Sequence, residues 1–331
     1  MNPSSFMRNF LLLLVLFIAS CTGMQTATQS GDLSSNRWNS AQAPAWYNPS
    51  EFDTLTVVTW NLEHFVDGHD NPYINHPREN NPGEGLAERR RLLAQALSRL
   101  DADIVVFQEV ESAPYVQEMA QTDFEELGYR LVTAFESNDW YMNVVIMSRV
   151  PLRLTYSYGN VYTFRREEEG ETEYQNFTNN RMLSAEVAVN EDFHFLLTGV
   201  HLKAGRGEGN ARWRMGQIEV LRDHYSMILD QYPDARILLA GDLNIIPGDP
   251  EFDLILGENT DVRFVDPFQG VNAFTIPADN PTRQLDHILP NDKMMRDYIP
   301  GSGRVAYPFS PDSMRAISDH LPVLMKFNTI R

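Results

Sequence analysis

Six short polar clusters, each at the end of an apolar run typical of a β-strand, are distributed between residues 60 and 320. In chain order they are Trp60-Asn61-Leu62-Glu63, Gln108-Glu109, Val200-His201-Leu202, Gly241-Asp242-Leu243-Asn244, Leu285-Asp286-His287 and Ser318-Asp319-His320. The clusters lie far apart along the chain, so only a fold that gathers strand ends could unite them. Their carboxylates, amides and imidazoles are the groups needed to hydrolyse a phosphate ester.

Strand-like and helix-like stretches alternate along the chain and predict its fold class. Two β-branched or aromatic runs, Leu55–Trp60 and Ile104–Phe107, flank a helical stretch, and several short strand-like runs follow between residues 129 and 199. Amphipathic periodicity predicts helices over Leu86–Leu100, Tyr115–Leu127 and Ala211–Leu229. This order predicts an α/β four-layer sandwich, in which two mostly antiparallel sheets pack face to face with helices outside.

The composition fits one large domain with an acidic surface. The chain has 331 residues, of which 43% are hydrophobic, so it can bury a sizeable core. Its formal net charge of −18 at pH 7 repels polyanions at long range. A phosphate-containing substrate would therefore have to be attracted by local arginine, lysine or metal charge.

The N-terminal segment has the pattern of an export signal. Arg8 precedes the apolar stretch Phe10–Ile18, which is too short to span a bilayer, and small residues follow up to Cys21. The segment resembles a bacterial lipobox, in which Cys21 is acylated; an ordinary secretory signal with an incidental cysteine is the alternative. Cys21 is the only cysteine, so the chain can form no intrachain disulfide.

These patterns divide the chain into three parts. We expect a lipoprotein signal peptide over residues 1–20, a flexible tether over 21–50, which is rich in Ser, Thr, Gln and Asn, and a catalytic domain over 51–331. The predicted location is the bacterial cell envelope, with a lipid anchor as the membrane contact. Thr22 after the cysteine resembles lipoproteins of an outer membrane, facing the periplasm or the exterior.

Two long polar insertions interrupt the apolar pattern, over residues 66–84 and 165–180, and both could border an active site. In the first, the acidic and imidazole side chains could bind an extra metal ion, although a solvated loop is the simpler interpretation. The residues concerned are Asp67, His69, Asp70 and His76.

The clusters contain ligands for a hard cation and a candidate base for water. Glu63, Glu109 and Asp319 offer oxygen atoms, which suit Mg²⁺ or Mn²⁺ better than zinc. Asp242 and Asn244 are two residues apart after an apolar run, so their side chains should emerge on one side. One could take a proton from water while the other holds that water by hydrogen bonds.

Each cluster also has a purely structural interpretation. Gly241–Asn244 is a natural turn after a strand, and Ser318–His320 could cap a helix or form a turn. Glu109 alone could be a satisfied core carboxylate, and His201 alone could be a packed histidine. The joint occurrence of all six clusters in this order favours the catalytic interpretation.

The ordered set resembles the endonuclease/exonuclease/phosphatase superfamily over residues 55 to 328. The segments that carry the resemblance are Thr59-Trp60-Asn61-Leu62-Glu63, Phe107-Gln108-Glu109-Val110, Gly199-Val200-His201-Leu202, Gly241-Asp242-Leu243-Asn244, Leu285-Asp286-His287-Ile288 and Ser318-Asp319-His320-Leu321-Pro322-Val323. The resemblance implies a metal-dependent phosphoesterase with a four-layer sandwich. It implies Glu109 as the main metal ligand, assisted by Glu63 and Asp319.

The resemblance also implies roles for the remaining clusters. Asn61 and Asn244 would orient the phosphate and the water, and Asp242 would activate the nucleophile. Asp286 and His320 would form the family's Asp–His dyad, in which the histidine contacts the phosphate.

Two further positions have less specific signatures. His201 resembles the leaving-group acid of deoxyribonuclease-like members. Arg181 falls where many members have a substrate-binding arginine, although a surface salt bridge would explain it equally well.

The resemblance does not determine the substrate. We expect an exported phosphodiesterase, most similar to nucleases, that acts on extracellular nucleic acid or nucleotides. A phospholipid or nucleotide phosphodiesterase or phosphatase of the same fold is the alternative. A catalytically silent module that binds a phosphorylated ligand or a protein is the alternative from another class, and the sequence indicates no particular protein partner.

Overall fold

The computed structural model describes residues 43–80, 84–136, 140–159, 161–165, 173–175 and 181–330. The chain divides into two units, Met1–Ser40 and Ala41–Arg331, and the second contains all the described residues. The predicted signal peptide, Cys21 and most of the predicted tether lie outside the described residues. Within the described part, no helix is both long and apolar enough to cross a bilayer.

The described body consists of strands and helices in alternating blocks. The strands are β1 (Thr54–Phe65), β2 (Ile104–Val110), β3 (Leu131–Ala134), β4 (Asn143–Ser148), β5 (Leu152–Ser157), β6 (Thr163–Arg165), β7 (Glu173–Gln175), β8 (Met182–Ala188), β9 (His194–His201), β10 (Ile237–Asp242), β11 (Asp286–Pro290), β12 (Arg304–Val305) and β13 (Val323–Asn328). The helices are α1 (Pro77–Asn80), α2 (Leu86–Leu100), α3 (Ala113–Gln121), α4 (Glu208–Gln231), α5 (Pro250–Leu256), α6 (Asp292–Met295) and α7 (Pro311–Arg315).

The strands form two main sheets and one small hairpin. One sheet has the order β12-β13-β1-β2-β4-β3, the other has the order β11-β10-β9-β8-β5, and β6 pairs with β7. Each main sheet contains one parallel pair, β1 with β2 and β9 with β10, and its other pairs are antiparallel. The predicted pair of mostly antiparallel sheets is confirmed.

Three separate clusters of buried apolar residues define the layers. The first packs α2 and α3 on one sheet, through side chains such as Leu97 and Val116. The second fills the space between the two sheets. The third packs α4 and α5 on the other sheet, through side chains such as Leu221 and Phe252. This succession of helix, sheet, sheet and helix is the predicted four-layer sandwich.

Alternation along the strands produces this layering. In β1, Val57 faces the space between the sheets, whereas the adjacent Val58 faces the helices. The two sheets approach closely at Gly199, where an added Cβ would lie 2.8 Å from the Cγ1 atoms of Val106 and Val144. Glycine is therefore required at this close approach of the two sheets, a few residues from His201.

Several predicted boundaries differ from the structure. The helix predicted over Tyr115–Leu127 ends at Gln121, and a separate 3₁₀ turn follows at Glu125–Leu127. Each predicted insertion contains regular structure, since α1 lies in the first and β7 lies in the second. The predicted tether reaches residue 50, but Tyr47 already packs on Phe52 and donates a hydrogen bond to the Val189 carbonyl at 2.6 Å.

The parallel pairs bring the polar clusters to one edge of the sandwich. In one sheet Asn61 is in register with Gln108, and in the other Asp242 is in register with His201 and with Asp286. Because the carboxyl ends of parallel strands meet at the same edge of a sheet, the side chains that follow these strands converge.

Candidate active site

Asn61 connects the two sheets at this edge. Its Nδ2 donates hydrogen bonds to Glu109 Oε1 at 3.3 Å, within its own sheet, and to Asp242 Oδ2 at 3.0 Å, on the opposite sheet. Its Oδ1 accepts the backbone N–H of Glu63 at 3.0 Å, and the residue is only 1% exposed. This amide therefore fixes the separation of two carboxylates that would otherwise repel each other.

The backbone is strained where the site residues leave their strands. Glu63, His64, Glu109 and Asn244 all have positive φ, between 44° and 58°, which L-residues seldom adopt. The pairing of β1 with β2 shifts register between Asn61 and Phe65. Strain of this kind is concentrated at functional sites, because the surrounding structure must hold it in place.

Gly241 and Asn244 shape the turn around Asp242. Gly241 has a φ of 153°, and any Cβ there would collide with the Val200 carbonyl oxygen, so only glycine can precede Asp242. Asp242 Oδ1 accepts the backbone N–H of Asn244 at 2.8 Å. Burial, and next the negative charge of Asp286, raise the pKa of Asp242 above that of an ordinary carboxyl. Such a carboxylate is basic enough to accept a proton from water.

Asp286 and His320 form the predicted dyad. His320 Nδ1 lies 2.7 Å from Asp286 Oδ2, and both side chains are buried. Burial alone would lower the pKa of His320, but the Asp286 carboxylate and its hydrogen bond outweigh burial and raise that pKa to about 10. The imidazole is therefore protonated at neutral pH, and its Nε2 lies 4.0 Å from Asp242 Oδ2.

Contacts from the rest of the site hold the His320 loop. The indole N–H of Trp60 donates to the His320 carbonyl at 2.9 Å, and the Ser318 hydroxyl donates to the Asn61 carbonyl at 2.7 Å. These two hydrogen bonds connect the segment Ser318–His320 to β1, which lies about 260 residues earlier in the chain. The placement of His320 depends on β1 as much as on its own segment.

His201 lies between the two sheets' carboxylates. Its Nε2 is 3.6 Å from Glu109 Oε1 and 3.8 Å from Asp242 Oδ2. Burial, and next the Arg181 charge, lower the pKa of His201 well below its usual value. Its buried Nδ1 has no hydrogen-bond partner among the described residues. The ring is therefore neutral at pH 7.

The three predicted metal ligands lie on one side of the site and differ in their hydrogen bonds and ion pairs. Burial raises the pKa of Asp319, and among its causes are the negative charges of Glu63 and Glu109, so these carboxylates lie close together. Glu63 Oε2 receives the Arg315 guanidinium at 2.6 Å and the Asp319 backbone N–H at 3.1 Å. Glu109 and Asp319 form no ion pair with an arginine or lysine among the described residues, although Glu109 accepts hydrogen bonds from Asn61 and His64 and Asp319 Oδ1 lies 3.9 Å from His320 Nε2. Hard carboxylate oxygens of this kind suit Mg²⁺ or Mn²⁺.

A second group in the described part could also hold a cation. Asp242, Asp286 and His320 offer ligand atoms that all lie within 4.8 Å of one another. However, His320 Nδ1 already bonds to Asp286, and a protonated ring repels a cation. Glu63, Glu109 and Asp319 do not form an equally compact group among the described residues, but no imidazolium is bonded within that set.

Arg181 is positioned as a substrate-binding residue would be. It adjoins Glu109 and Asp242, whose charges act on its pKa, although burial is the largest influence and lowers it. Its guanidinium lies 5.4 Å from the Trp140 ring centre. Among the described residues it forms no ion pair, so the alternative of a surface salt bridge has no support there.

Sequence reasoning missed three residues that build the site. Arg89 donates to the carbonyls of Leu62 and Glu63 and thereby stabilises the strained turn. Tyr141 places its hydroxyl 2.6 Å from His64 Nδ1, and His64 donates its backbone N–H to Glu109 Oε2 at 3.0 Å. The adjacency of His64 to Glu63 was the only available sequence signal.

The extra metal site suggested for the first insertion has no geometric support. Asp67 Oδ1 accepts the His69 backbone N–H at 2.6 Å, and His76 packs 4.9 Å from the Tyr141 ring centre. In the part of the chain that the structure describes, these side chains do not form a group with metal-ligand spacing. The simpler interpretation of this insertion as a polar loop is the better one.

Comparison with known proteins identifies the family. The family model described as "Endonuclease/Exonuclease/phosphatase family" matches residues 58–320, which include all the clusters above. The chain belongs to the endonuclease/exonuclease/phosphatase family. No protein with a curated description matches the sequence significantly.

Solved structures of low sequence identity share the endonuclease/exonuclease/phosphatase fold. D. rerio TDP2 complexed with a single-strand DNA product is 22% identical, with a TM-score of 0.56 over 83% of this chain and 99% of that one. The Staphylococcus aureus beta toxin is 16% identical, with a TM-score of 0.56 over 82% and 99%. The human Nocturnin catalytic domain with bound sulfate is 16% identical, with a TM-score of 0.56 over 85% and 95%.

The dyad makes a prediction about proton binding. Replacing Asp286 by Asn removes the charge that favours the imidazolium, so the pKa of His320 should fall toward its ordinary value of about 6.5. Because the folded-state pKa is raised, the pair stabilises the fold fully below the unfolded pKa and loses this effect as pH rises through about 10. Imidazole NMR titration of the metal-free protein measures the shift.

The exposed Asp53, before the first residue of β1, provides a control with the same charge change. Asp53→Asn should leave the His320 titration where it is in the wild type. A His320 pKa that does not move in Asp286→Asn would contradict the dyad.

Proposed function

We propose that this protein is a metal-dependent phosphodiesterase that uses activated water and acts on nucleic-acid-like substrates. The observation that carries the proposal is the pairing of a basic carboxylate with an imidazolium. Asp242, whose pKa is raised, lies 4.0 Å from Nε2 of the protonated His320. An attacking water and the phosphate that it attacks require these two opposite charges side by side.

Asp242 would take the proton from the attacking water. Its two oxygens already accept hydrogen bonds from the Asn244 backbone and the Asn61 side chain, so its orientation is fixed before a substrate arrives. We assign Asn61 and Asn244 to the positioning of water and phosphate, since the Asn61 side chain and the Asn244 backbone N–H both donate to Asp242. Preorganisation of this kind lowers the reorganisation needed in the transition state.

His320 and Arg181 would stabilise the charge on the phosphate oxygens. His320 can donate from Nε2, because Nδ1 is held by Asp286. His201 is neutral, so we assign it a hydrogen bond to the leaving oxygen rather than full proton transfer. This modifies the leaving-group-acid role that the resemblance implies.

Glu109 and Asp319 would hold the divalent cation, with Glu63 as a third ligand if Arg315 releases it. Mg²⁺ or Mn²⁺ fits these oxygens, and a bound cation would supply electrostatic stabilisation of the phosphate charge. The family match supports divalent-metal dependence, and the crowding of carboxylates around Glu109 supports this position.

Nucleic acid is the substrate class that we favour. A structure of D. rerio TDP2 with the same fold holds a single-strand DNA product, which supports a phosphodiester substrate. A silent binding module is disfavoured, because base, imidazolium and carboxylate positions are all occupied by competent residues.

Hydrolysis of bis(4-nitrophenyl) phosphate tests the proposed chemistry. The wild type should release nitrophenol with Mg²⁺ or Mn²⁺ and stop with EDTA. Asp242→Asn should lower kcat by roughly 10³-fold through loss of the base, and His320→Gln by roughly 10²-fold through loss of the charge on the phosphate. Steady-state kinetics at pH 7 measure both.

Two exposed residues offer matched controls. Glu126→Gln and His69→Gln make the same chemical changes away from Asp242 and should retain wild-type kcat. Metal-independent turnover, or full activity in both site variants, would exclude the proposal.

We further propose that the chain is exported and anchored in the envelope through a lipid on Cys21. The support is the sequence pattern Ile18-Ala19-Ser20-Cys21 after an apolar stretch. In cells that express the full chain, labelled palmitate should enter the wild type, which should sediment with membranes. Cys21→Ser should lose the label, whereas Ser20→Ala should keep it. Label in the Cys21→Ser protein would exclude this anchor.

A further inference from the structure

An arginine-rich cavity adjoins the candidate active site on the Asn244 side. A cavity of about 880 Å³ is bounded by Asn244, by the loop before α4, by the start of α5 and by Arg283 and Leu285 before β11. Asn244 lines this cavity and also donates its backbone N–H to Asp242. A ligand in the cavity would therefore be continuous with a substrate at Asp242.

Four arginines line this cavity in a chain that is otherwise acidic. They are Arg206, Arg212, Arg214 and Arg283. Arg206 and Arg283 form no ion pair among the described residues. Arg212 lies 3.8 Å from a Glu208 carboxylate whose side chain is 89% exposed, so solvent weakens that pair. Three carboxylates, those of Glu208, Asp249 and Glu251, also line the cavity, so its four arginines leave an excess of one positive charge.

The fourth arginine builds the cavity wall. Arg214 is buried and pairs with the buried Glu251 at 2.8 Å. Its Nη1 also donates to the carbonyls of Lys203 and Gly205, at 2.9 and 2.8 Å. These bonds hold the loop between β9 and α4, which carries Arg206.

Unsatisfied hydrogen-bond donors also point to an anionic ligand. Arg212 Nε is buried and has no partner among the described residues. The loop Gly205-Arg206-Gly207 has positive φ at both glycines. Gly207 is the residue before α4 and offers no side chain to cap the helix. The first backbone N–H groups of a helix have no partner within the helix, and such groups bind phosphate.

We propose that this cavity binds a second phosphate group of the substrate, next to the one that is hydrolysed. The inference rests on the proposed function and names its substrate class, since the preferred substrates would carry at least two phosphates. That phosphate can be a neighbouring phosphodiester in a strand or a terminal phosphate. Both present anionic non-bridging oxygen atoms to Arg206, Arg212 and Arg283.

Four thymidine oligomers separate these cases. TpT has one phosphate, pTpT and TpTp add a terminal phosphate, and TpTpT adds a neighbouring phosphodiester. We expect kcat/KM to rise roughly tenfold from TpT to at least one oligomer with a second phosphate, the effect of a charge-assisted hydrogen bond. A gain with pTpT or TpTp indicates a terminal phosphate, and a gain with TpTpT indicates a strand.

The double variant Arg206→Gln/Arg283→Gln should abolish this preference for a second phosphate. The control is Arg130→Gln/Arg304→Gln, which removes the same charge from two exposed arginines. Arg130 precedes β3 at the end of the sheet opposite Glu109, since Leu131 and Ile104 both pair with Ser148. The control should keep the wild-type ratio of kcat/KM values. An equal fall for TpT and for the favoured oligomer in Arg206→Gln/Arg283→Gln would overturn the proposal.

A binding measurement keeps this inference separate from the catalytic one. In EDTA, where the proposed chemistry stops, calorimetry should show the favoured oligomer binding the wild type roughly fivefold or more tightly than TpT. The advantage should vanish in Arg206→Gln/Arg283→Gln. Equal binding of all four oligomers to the wild type would overturn the second phosphate site, whether or not any of them is hydrolysed.

Discussion

The crowding of negative charge at one edge of the sandwich is the constraint on which the rest of the structure depends. Glu109 comes from one sheet, and Asp242 and Asp286 come from the other. Asn61 joins the two sheets by donating to Glu109 and Asp242 from one amide nitrogen. Without this bridge and the His320 imidazolium, mutual repulsion would separate the carboxylates. The strained backbone at Glu63, Glu109 and Asn244 is consistent with an edge whose geometry is imposed by the surrounding sheets.

The charge pattern divides the site into two halves. One half contains Asp242, Asp286 and His320. Asp286 keeps His320 protonated, so this half carries a carboxylate base and a positive imidazole. Around Glu109, Glu63 pairs with Arg315, and Asp319 Oδ1 lies 3.9 Å from His320 Nε2, whereas among the described residues Glu109 has no arginine or lysine within ion-pair distance. The first half is suited to water and phosphate, and the second is suited to a cation. On the other side of Asn244 lies the arginine-lined cavity in which we propose that a second phosphate binds.

Local patterns in the sequence predicted most of the architecture and the membership of the site. A run of β-branched and aromatic residues over Leu55–Trp60 identified β1, and the helix Leu86–Leu100 was predicted with the observed bounds. The polar clusters were recognised because each follows an apolar run, and the fold brings strand ends together. The break after Gln121 was missed, because the stretch to Leu127 continues the apolar spacing of a helix.

Contacts between distant segments could not be predicted in this way. Glu63 pairs with Arg315, 252 residues away, and His64 meets Tyr141, 77 residues away. No local periodicity encodes either pairing, so Glu63 was indistinguishable from an uncommitted metal ligand. The arginine cavity could not be predicted from local patterns either, because Arg206 and Arg283 belong to loops that only the assembled sheet brings together.

The position of a bound cation tests the division of the site most directly. Anomalous diffraction from crystals soaked in manganese chloride would locate Mn²⁺ without any assay of activity. The account predicts a peak at coordination distance, about 2 Å, from carboxylate oxygens of Glu109 and Asp319. A peak enclosed by Asp242, Asp286 and His320 instead, or no peak at Glu109, would contradict it.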